Sequence, residues 1–438
     1  MSNYPDDAVQ SKALFERAKH SLPGGNTRTT VFMKPFPIYV THGKGFRVWD
    51  ADGVARIDCI NNFTAGIHGH AHPVLIAATE KQLALGSAFG LPTSSEIDLA
   101  ELLCSRVASV ERVRFCNSGS EAVMMAIKAA RAFTGRSAIA KVEGAYHGSY
   151  DYAEVSLDPS PKTWGSNRPN SVAYAQGTPA SVLSEVLTLP FNDPAGAAEL
   201  IRSAGSTLAA VLIDPMPNRA GLVPASRGYI DAVQEAARSV GALVLFDEVI
   251  SLRLGYRGAQ AIWDAEPDLT MFGKIIGGGF PVGAVAGRAE VMAVFDPTAG
   301  KPALPHGGTF SANPVTMRAG IAAMELLDEA EFARLDDLGE GLREGLRRVL
   351  ADEGLPGCVT GAGSLLRFHL VDREVTDYRS SYLSPDETEL LAGVHKAFLD
   401  NGVVASNTGL MALSTPMTTE TLTEILVAFT ASLRQARA

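Results

Sequence analysis

Lysine stands in water in most soluble proteins, so one set between an apolar run and three glycines invites a chemical reading. Lys274 is such a residue, in Asp268-Leu-Thr-Met-Phe-Gly-Lys274-Ile-Ile-Gly-Gly-Gly279. Partial desolvation there lowers the pKa of the amine and leaves a neutral nucleophile able to form an imine with a carbonyl carbon. Upstream, Leu243-Val-Leu-Phe-Asp247-Glu-Val249 ends an apolar run on an acid, at the end of a strand where α/β sheets gather their ligands. Asp247 suits a ring nitrogen, because a carboxylate keeps a pyridinium protonated and able to accept electrons from a carbanion. A strand-end aspartate that caps a helix and pairs with the lysine accounts for these two residues equally well.

Three further segments add to the pair. Phe115-Cys-Asn117-Ser118-Gly119-Ser120-Glu121-Ala122 stands at a strand-to-helix junction. Small residues there let backbone N–H groups close on a phosphate, which the helix dipole also favours, and Ser118 and Ser120 can add hydroxyl contacts. Plain capping, Ser118 with Glu121 three residues on, explains the same letters. Gly144-Ala-Tyr146-His147-Gly148 follows an apolar run and offers an aromatic face to a planar ring, or to the core. His306-Gly-Gly-Thr309-Phe-Ser311 is a flexible segment whose hydroxyl can bind an oxyanion. No GxxxxGK[ST] phosphate loop occurs.

Two patterns are set aside. His68, His70 and His72 lie close in sequence, but i,i+2 spacing rarely converges outside a strand and no neighbouring carboxylate or cysteine completes a set, so a turn-forming loop is expected rather than a metal. Gly361-Ala-Gly363 is half of a dinucleotide fingerprint with its third glycine missing.

The elements that must position these residues follow from periodicity. Leu99, Leu102, Leu103, Val107 and Val110 share a helical face. Strands are expected at 113–116, 138–142, 208–213 and 243–246, with helices at 122–133 and around Ile230, Val233 and Val240. Strands alternating with helices imply a mostly parallel sheet between helical layers. Residues 36–60 read as β structure with a turn at Asp52-Gly53, and helices are expected after Pro314 and along Leu335, Leu338, Leu342, Leu346 and Val349. The division expected is 1–65 as an N-terminal segment of a small domain, 66–315 as a large α/β domain, and 316–438 as the rest of a small α+β domain.

The chain has 438 residues, 46% hydrophobic and 20% charged, with a formal net charge of -10. That length can bury large cores without disulfides. An acidic chain with no basic block argues against nucleic acid, and no apolar run is long enough to span a membrane. The four scattered cysteines suit a reducing compartment, and the first residues carry acids where a secretory leader is basic, so a cytoplasmic location is expected.

Taken in order, these segments resemble the class III (ω-type) aminotransferases of fold type I, over nearly the whole chain. The resemblance includes Leu22-Pro-Gly-Gly25-Asn26-Thr-Arg28, Val48-Trp-Asp-Ala-Asp-Gly53, Gly69-His-Ala-His-Pro73 and, most specifically, Asp247 with Lys274. The subgroup it is most similar to holds the glutamate-1-semialdehyde aminomutases and β-amino-acid transaminases. The resemblance implies pyridoxal 5'-phosphate as cofactor, held as a Schiff base by Lys274, which then moves the substrate proton. It implies Asp247 at the pyridinium nitrogen, Val249 and Tyr146 on the two ring faces, and Ser118, Gly119 and Ser120 at the phosphate. It further implies Thr309 given by a second subunit, hence a homodimer with shared sites, and Arg28 facing a substrate carboxylate. Two departures bear on substrate: Asp214-Pro215 replaces the usual Glu-Pro, and Ala405-Ser-Asn407-Thr408-Gly409 has no arginine where β-phenylalanine-type relatives carry one. Arg253 is a possible substitute, with an exposed salt bridge as its expected role.

A transaminase passing an amino group from an amine or (β-)amino acid to an oxo acid is therefore the leading expectation. An intramolecular aminomutase or a racemase would use the same lysine. A metal-dependent hydrolase built on the three histidines and a nicotinamide oxidoreductase stand as readings from other classes.

Overall fold

The computed structural model describes residues 3–438. Its fourteen strands are β1 (Val40–Lys44), β2 (Arg47–Asp50), β3 (Ala55–Asp58), β4 (Arg112–Cys116), β5 (Ala138–Val142), β6 (Val186–Leu189), β7 (Leu208–Ile213), β8 (Leu243–Asp247), β9 (Leu269–Gly273), β10 (Gly283–Gly287), β11 (Cys358–Thr360), β12 (Leu365–His369), β13 (Val403–Val404) and β14 (Leu410–Ala412).

Continuous apolar runs become strands covered on both faces. Every residue of β7, β8, β9 and β10 is buried. They lie in a seven-stranded sheet of order β4-β10-β9-β8-β7-β5-β6. β10 runs antiparallel to both neighbours, and the other six strands point one way. Strand periodicity divides the side chains between layers. Leu243 and Leu245 face the cluster that includes the helix Gly119–Thr134, whereas Val244 and Phe246 face the helices Pro194–Ala204 and Arg227–Ser239. The sheet is thus mostly parallel between helical layers, as the alternation of strands and helices along the chain leads one to expect.

The remaining sheets come from the flanks of the chain. β1, β2 and β3 form an antiparallel meander, and the short β13 adds to β3 in parallel, so residues near 57 and 403 share one sheet. β11, β12 and β14 form an antiparallel sheet under the helix Glu329–Asp352. That helix buries Leu335, Leu338, Leu342, Leu346 and Leu350, with Val349 at the edge of the stripe. Each such leucine contributes about 1.5–3 kcal/mol of burial. All four cysteines are free thiols, and among the described residues no helix is long and apolar enough to cross a membrane.

Candidate active site

Six parallel strands deliver their C-terminal ends to one edge of the sheet, and a cavity of about 360 Å³ opens there. Its wall takes Asn117 to Ser120 from beyond β4, Tyr146 and His147 from beyond β5, and Asp214 from beyond β7. Asp247 and Val249 come from β8, and Lys274 from the end of β9. Arg28, Asn62 and Phe280 complete the lining. The reach from residue 28 to residue 282 makes this a product of topology, as expected where parallel strands end.

Lys274 stands at the junction of β9 and a short 3-10 turn with φ of 51°. A non-glycine residue held in the left-handed region costs on the order of 1–3 kcal/mol, a cost typical of functional positions. Its side chain is half-buried and opens onto the cavity. Among the described residues its amine has neither a hydrogen bond nor an ion pair at bonding distance, so the structural reading of a lysine paired to Asp247 does not hold. Desolvation pulls its pKa down, the charges of Asp247 and Asp214 push back, and Arg253 adds to the lowering. The result favours a neutral amine, the form that attacks a carbonyl.

Asp247 is buried and its two oxygens are fixed separately. Oδ1 accepts the backbone N–H of Val249 at 3.0 Å, and Oδ2 accepts Nδ1–H of His147 at 2.7 Å. His147 is wholly buried with its pKa lowered, chiefly by desolvation. Its Nε2 has no partner. Asp247, so fixed, faces the cavity. The sequence supplied His147 beside Tyr146, but nothing local announced that it would hold an acid from β8. Asp214 lies close by, accepting the N–H of Met216 at 2.9 Å. Burial and then the charge of Asp247 raise its pKa well above the ordinary carboxylate value.

The junction after β4 is both a cap and a cradle. Ser118 Oγ accepts the N–H of Glu121 at 3.1 Å as N-cap, and Ser120 Oγ accepts the N–H of Ser149 at 3.1 Å. In each case a lone pair is engaged and the O–H remains free to donate. A Cβ on Gly119 would meet Val249 Cγ1 at 2.9 Å, so only glycine lets the helix start this close to β8. Donor hydroxyls, a small residue and the positive end of the helix Gly119–Thr134 suit a phosphate. The free amine and the fixed carboxylate suit the carbonyl and ring nitrogen of pyridoxal phosphate. Tyr146, 44% exposed, presents its ring to the same cavity instead of joining the core.

Arg28 is exposed at the rim, donating to Asn62 Oδ1 at 2.8 Å and lying 5.8 Å from the centre of the Phe63 ring. Asn62 belongs to an unusual turn, with Asn61, Asn62, Phe63 and Thr64 all at positive φ, between 49° and 76°. Consecutive left-handed residues are costly, and long-range bonds hold them. Asp58 Oδ1 accepts from Ile60 and Asn61, Asn61 Nδ2 donates to Ala412 O, and Arg253 Nη1 donates to Thr64 O at 2.8 Å. Arg253 therefore corrects the expectation of an exposed salt bridge. It is 1% exposed, bonds also to Ser364 Oγ and Leu413 O, and burial lowers its pKa to about 9. It braces the wall and does not face the cavity.

Thr309 is exposed and lines a different, larger cavity of about 1280 Å³, apart from Lys274 of its own chain. His68 and His72 stay together, their ring centres 5.5 Å apart, while His70 turns to a different partner. His68 Nε2 bonds to Ala323 O at 2.8 Å, and His70 Nε2 to Asp58 at 2.8 Å. Asp58 corrects the expectation that no carboxylate lies nearby, but its other oxygen serves the left-handed turn. Among the described residues no group of three potential metal ligands forms, which removes the support for a metal hydrolase.

Comparison with known proteins agrees with this geometry. A family model described as aminotransferase class-III matches residues 30–433. Glutamate-1-semialdehyde 2,1-aminomutase from Methanothermobacter thermautotrophicus is 38% identical over 396 residues, 90% of this chain and 91% of the relative. The crystal structure of an omega-transaminase from Sphaerobacter thermophilus superposes with a TM-score of 0.95 at 52% identity, covering 98% of each chain. A β-phenylalanine aminotransferase from Variovorax paradoxus superposes with a TM-score of 0.87 at 34% identity, covering 98% of this chain and 94% of the other.

Proposed function

This chain belongs to the class-III aminotransferases, enzymes dependent on pyridoxal phosphate, and from that premise we propose that it is an intermolecular transaminase. It moves an amino group from an amine or an amino acid, β-amino acids included, to an oxo acid. The observation that carries the choice is the 52% identity to an omega-transaminase over 98% of both chains, against 38% to an aminomutase.

In this reading Lys274 would hold the cofactor, and its Nζ would take the proton from the substrate carbon. Asp247, fixed by His147 and the Val249 N–H, would hold the ring nitrogen. The bound cofactor supplies an electron sink for the carbanion left when the substrate Cα proton departs. Val249 and Tyr146 would flank the ring, while Ser118, Gly119 and Ser120 would hold the phosphate. Arg28 exchanges Asn62 for a substrate carboxylate, the partner its planar fork matches best.

Thr309 serves the phosphate of a second copy, so the working unit is a homodimer. Its exposure in a cavity away from its own Lys274 supports that reading. So does a surface bearing Leu85, Phe89, Leu91 and Ile97, each more than half exposed, since such patches mark interfaces. The free thiols support a reducing compartment, the cytoplasm.

The test supplies the purified, cofactor-loaded enzyme with 15N-labelled donors and a panel of oxo acids. Label should appear in the new amino acid, with one oxo product formed per transfer. The aminomutase reading, favoured by the 38% relative, predicts isomerisation of a single amino aldehyde with no label passed on, and that result would overturn the proposal. An Arg28→Ala arm should raise KM for carboxylated donors about tenfold, the worth of one charge-assisted bond. It should leave carboxylate-free amines unchanged.

A further inference from the structure

Thr309 lies in a stretch of irregular chain after Pro305, and a residue on such a segment binds phosphate well only if something fixes the backbone around it. The fixing comes from β4. Arg114 Nε donates to His306 Nδ1 at 3.1 Å and Arg114 Nη2 donates to His306 O at 3.1 Å, gripping side chain and main chain together. Its guanidinium lies 5.6 Å from the centre of the Phe295 ring, which itself meets His306 edge-on at 6.4 Å. Among the described residues no carboxylate pairs with Arg114, and the hydrogen bonds of its Nε and Nη2 both go to this segment. On the far side of Thr309, Asn117 Nδ2 reaches Ser311 Oγ at 3.5 Å, and Ser311 N donates to Gly308 O at 3.1 Å. The grip requires an unprotonated His306 Nδ1. Burial and the neighbouring Arg114 charge both keep that imidazole neutral.

We propose that Arg114 is a positioning residue for cofactor phosphate, acting through His306 to hold Thr309 in place for the partner's site. The proposal rests on the reading that Thr309 serves a second copy. It makes β4 common to two cradles, since the chain leaving β4 runs directly into Ser118, Gly119 and Ser120 of its own cavity. One strand thereby sets phosphate donors for both sites of the dimer.

The test measures equilibrium binding of pyridoxal phosphate, and of pyridoxal without its phosphate, to the apo dimer of wild type, Arg114→Met, Thr309→Ala and the double variant. Thermal melting and sedimentation verify each fold. Arg114→Met and Thr309→Ala should each raise the Kd for pyridoxal phosphate about tenfold, the loss of one hydrogen bond to a charged oxygen. The double variant should lose no more than either single, because both act through one contact. Pyridoxal should bind all four alike. Where Arg114→Met does not fold, His306→Ala cuts the same grip from the loop side and should weaken phosphate-dependent binding in the same direction. Unchanged affinity in Thr309→Ala overturns the underlying reading of Thr309. A Thr309 effect without an Arg114 or His306 effect, multiplying losses in the double variant, or equal loss of pyridoxal overturns the role of Arg114 alone.

Discussion

The chemistry of Lys274 depends on having an amine that is neutral and open to the cavity at the pH of the cell. Desolvation lowers its pKa, while Asp247 and Asp214 oppose the shift. The sign follows directly: a lowered pKa means the neutral nucleophile is populated at lower pH than in an ordinary lysine. Reductive methylation of Lys274 in the apoenzyme, followed by mass spectrometry against pH, should reach half its maximal rate well below 10.5. Asp247→Asn removes the largest opposing charge, so the midpoint should move further toward acid. A midpoint at the ordinary lysine value, or a shift toward alkali in the variant, would show that the cavity does not tune this amine. Asp214 counts for less, since its charge acts on Lys274 more weakly than that of Asp247.

At the level of elements, the wall that carries Asn62 is the most strained part of the site, with four residues in left-handed conformations. Arg253 stabilises it through carbonyls at Thr64 and Leu413 and the hydroxyl of Ser364, joining three distant stretches of chain. Arg253→Met keeps much of the volume and removes every donor, leaving buried acceptors unmet at roughly 1–3 kcal/mol each. The variant should melt earlier, and KM for carboxylated donors should rise more than kcat falls, because Arg28 loses the Asn62 that orients it. A lowered melting temperature with unchanged KM would confine Arg253 to stability.

This wall also marks where the sequence stopped being informative. β7 and β8 were legible because buried parallel strands are continuous apolar runs, and Lys274 because a cation between an apolar run and glycines is conspicuous. Ser118 and Ser120 were ambiguous, since capping and phosphate binding ask for the same residues; the structure shows the capping bonds leave the hydroxyl protons free. Asn61-Asn62-Phe63-Thr64 contains no glycine to announce positive φ. Arg253 looked like a surface cation because its partners lie 111, 160 and 189 residues away.

For the molecule as a whole, the proposed homodimer would tie function to assembly, since Thr309 lines a different cavity from its own Lys274. Leu91 is 79% exposed and Phe310, next to Thr309, is 61% exposed. Large apolar side chains so placed gain little in a lone chain and much when a second copy covers them. Leu91→Asp puts a charge into that contact, and a buried unpaired charge costs about 3–5 kcal/mol, a rise of roughly 10²–10⁴ in the dimer dissociation constant. Sedimentation at micromolar concentration should then show single chains. Affinity for pyridoxal phosphate should fall in step as dilution separates the copies, since each site loses the phosphate contact given by its neighbour. Dimer dissociation without loss of affinity would separate assembly from the cradle, and an intact dimer would place the interface on another face.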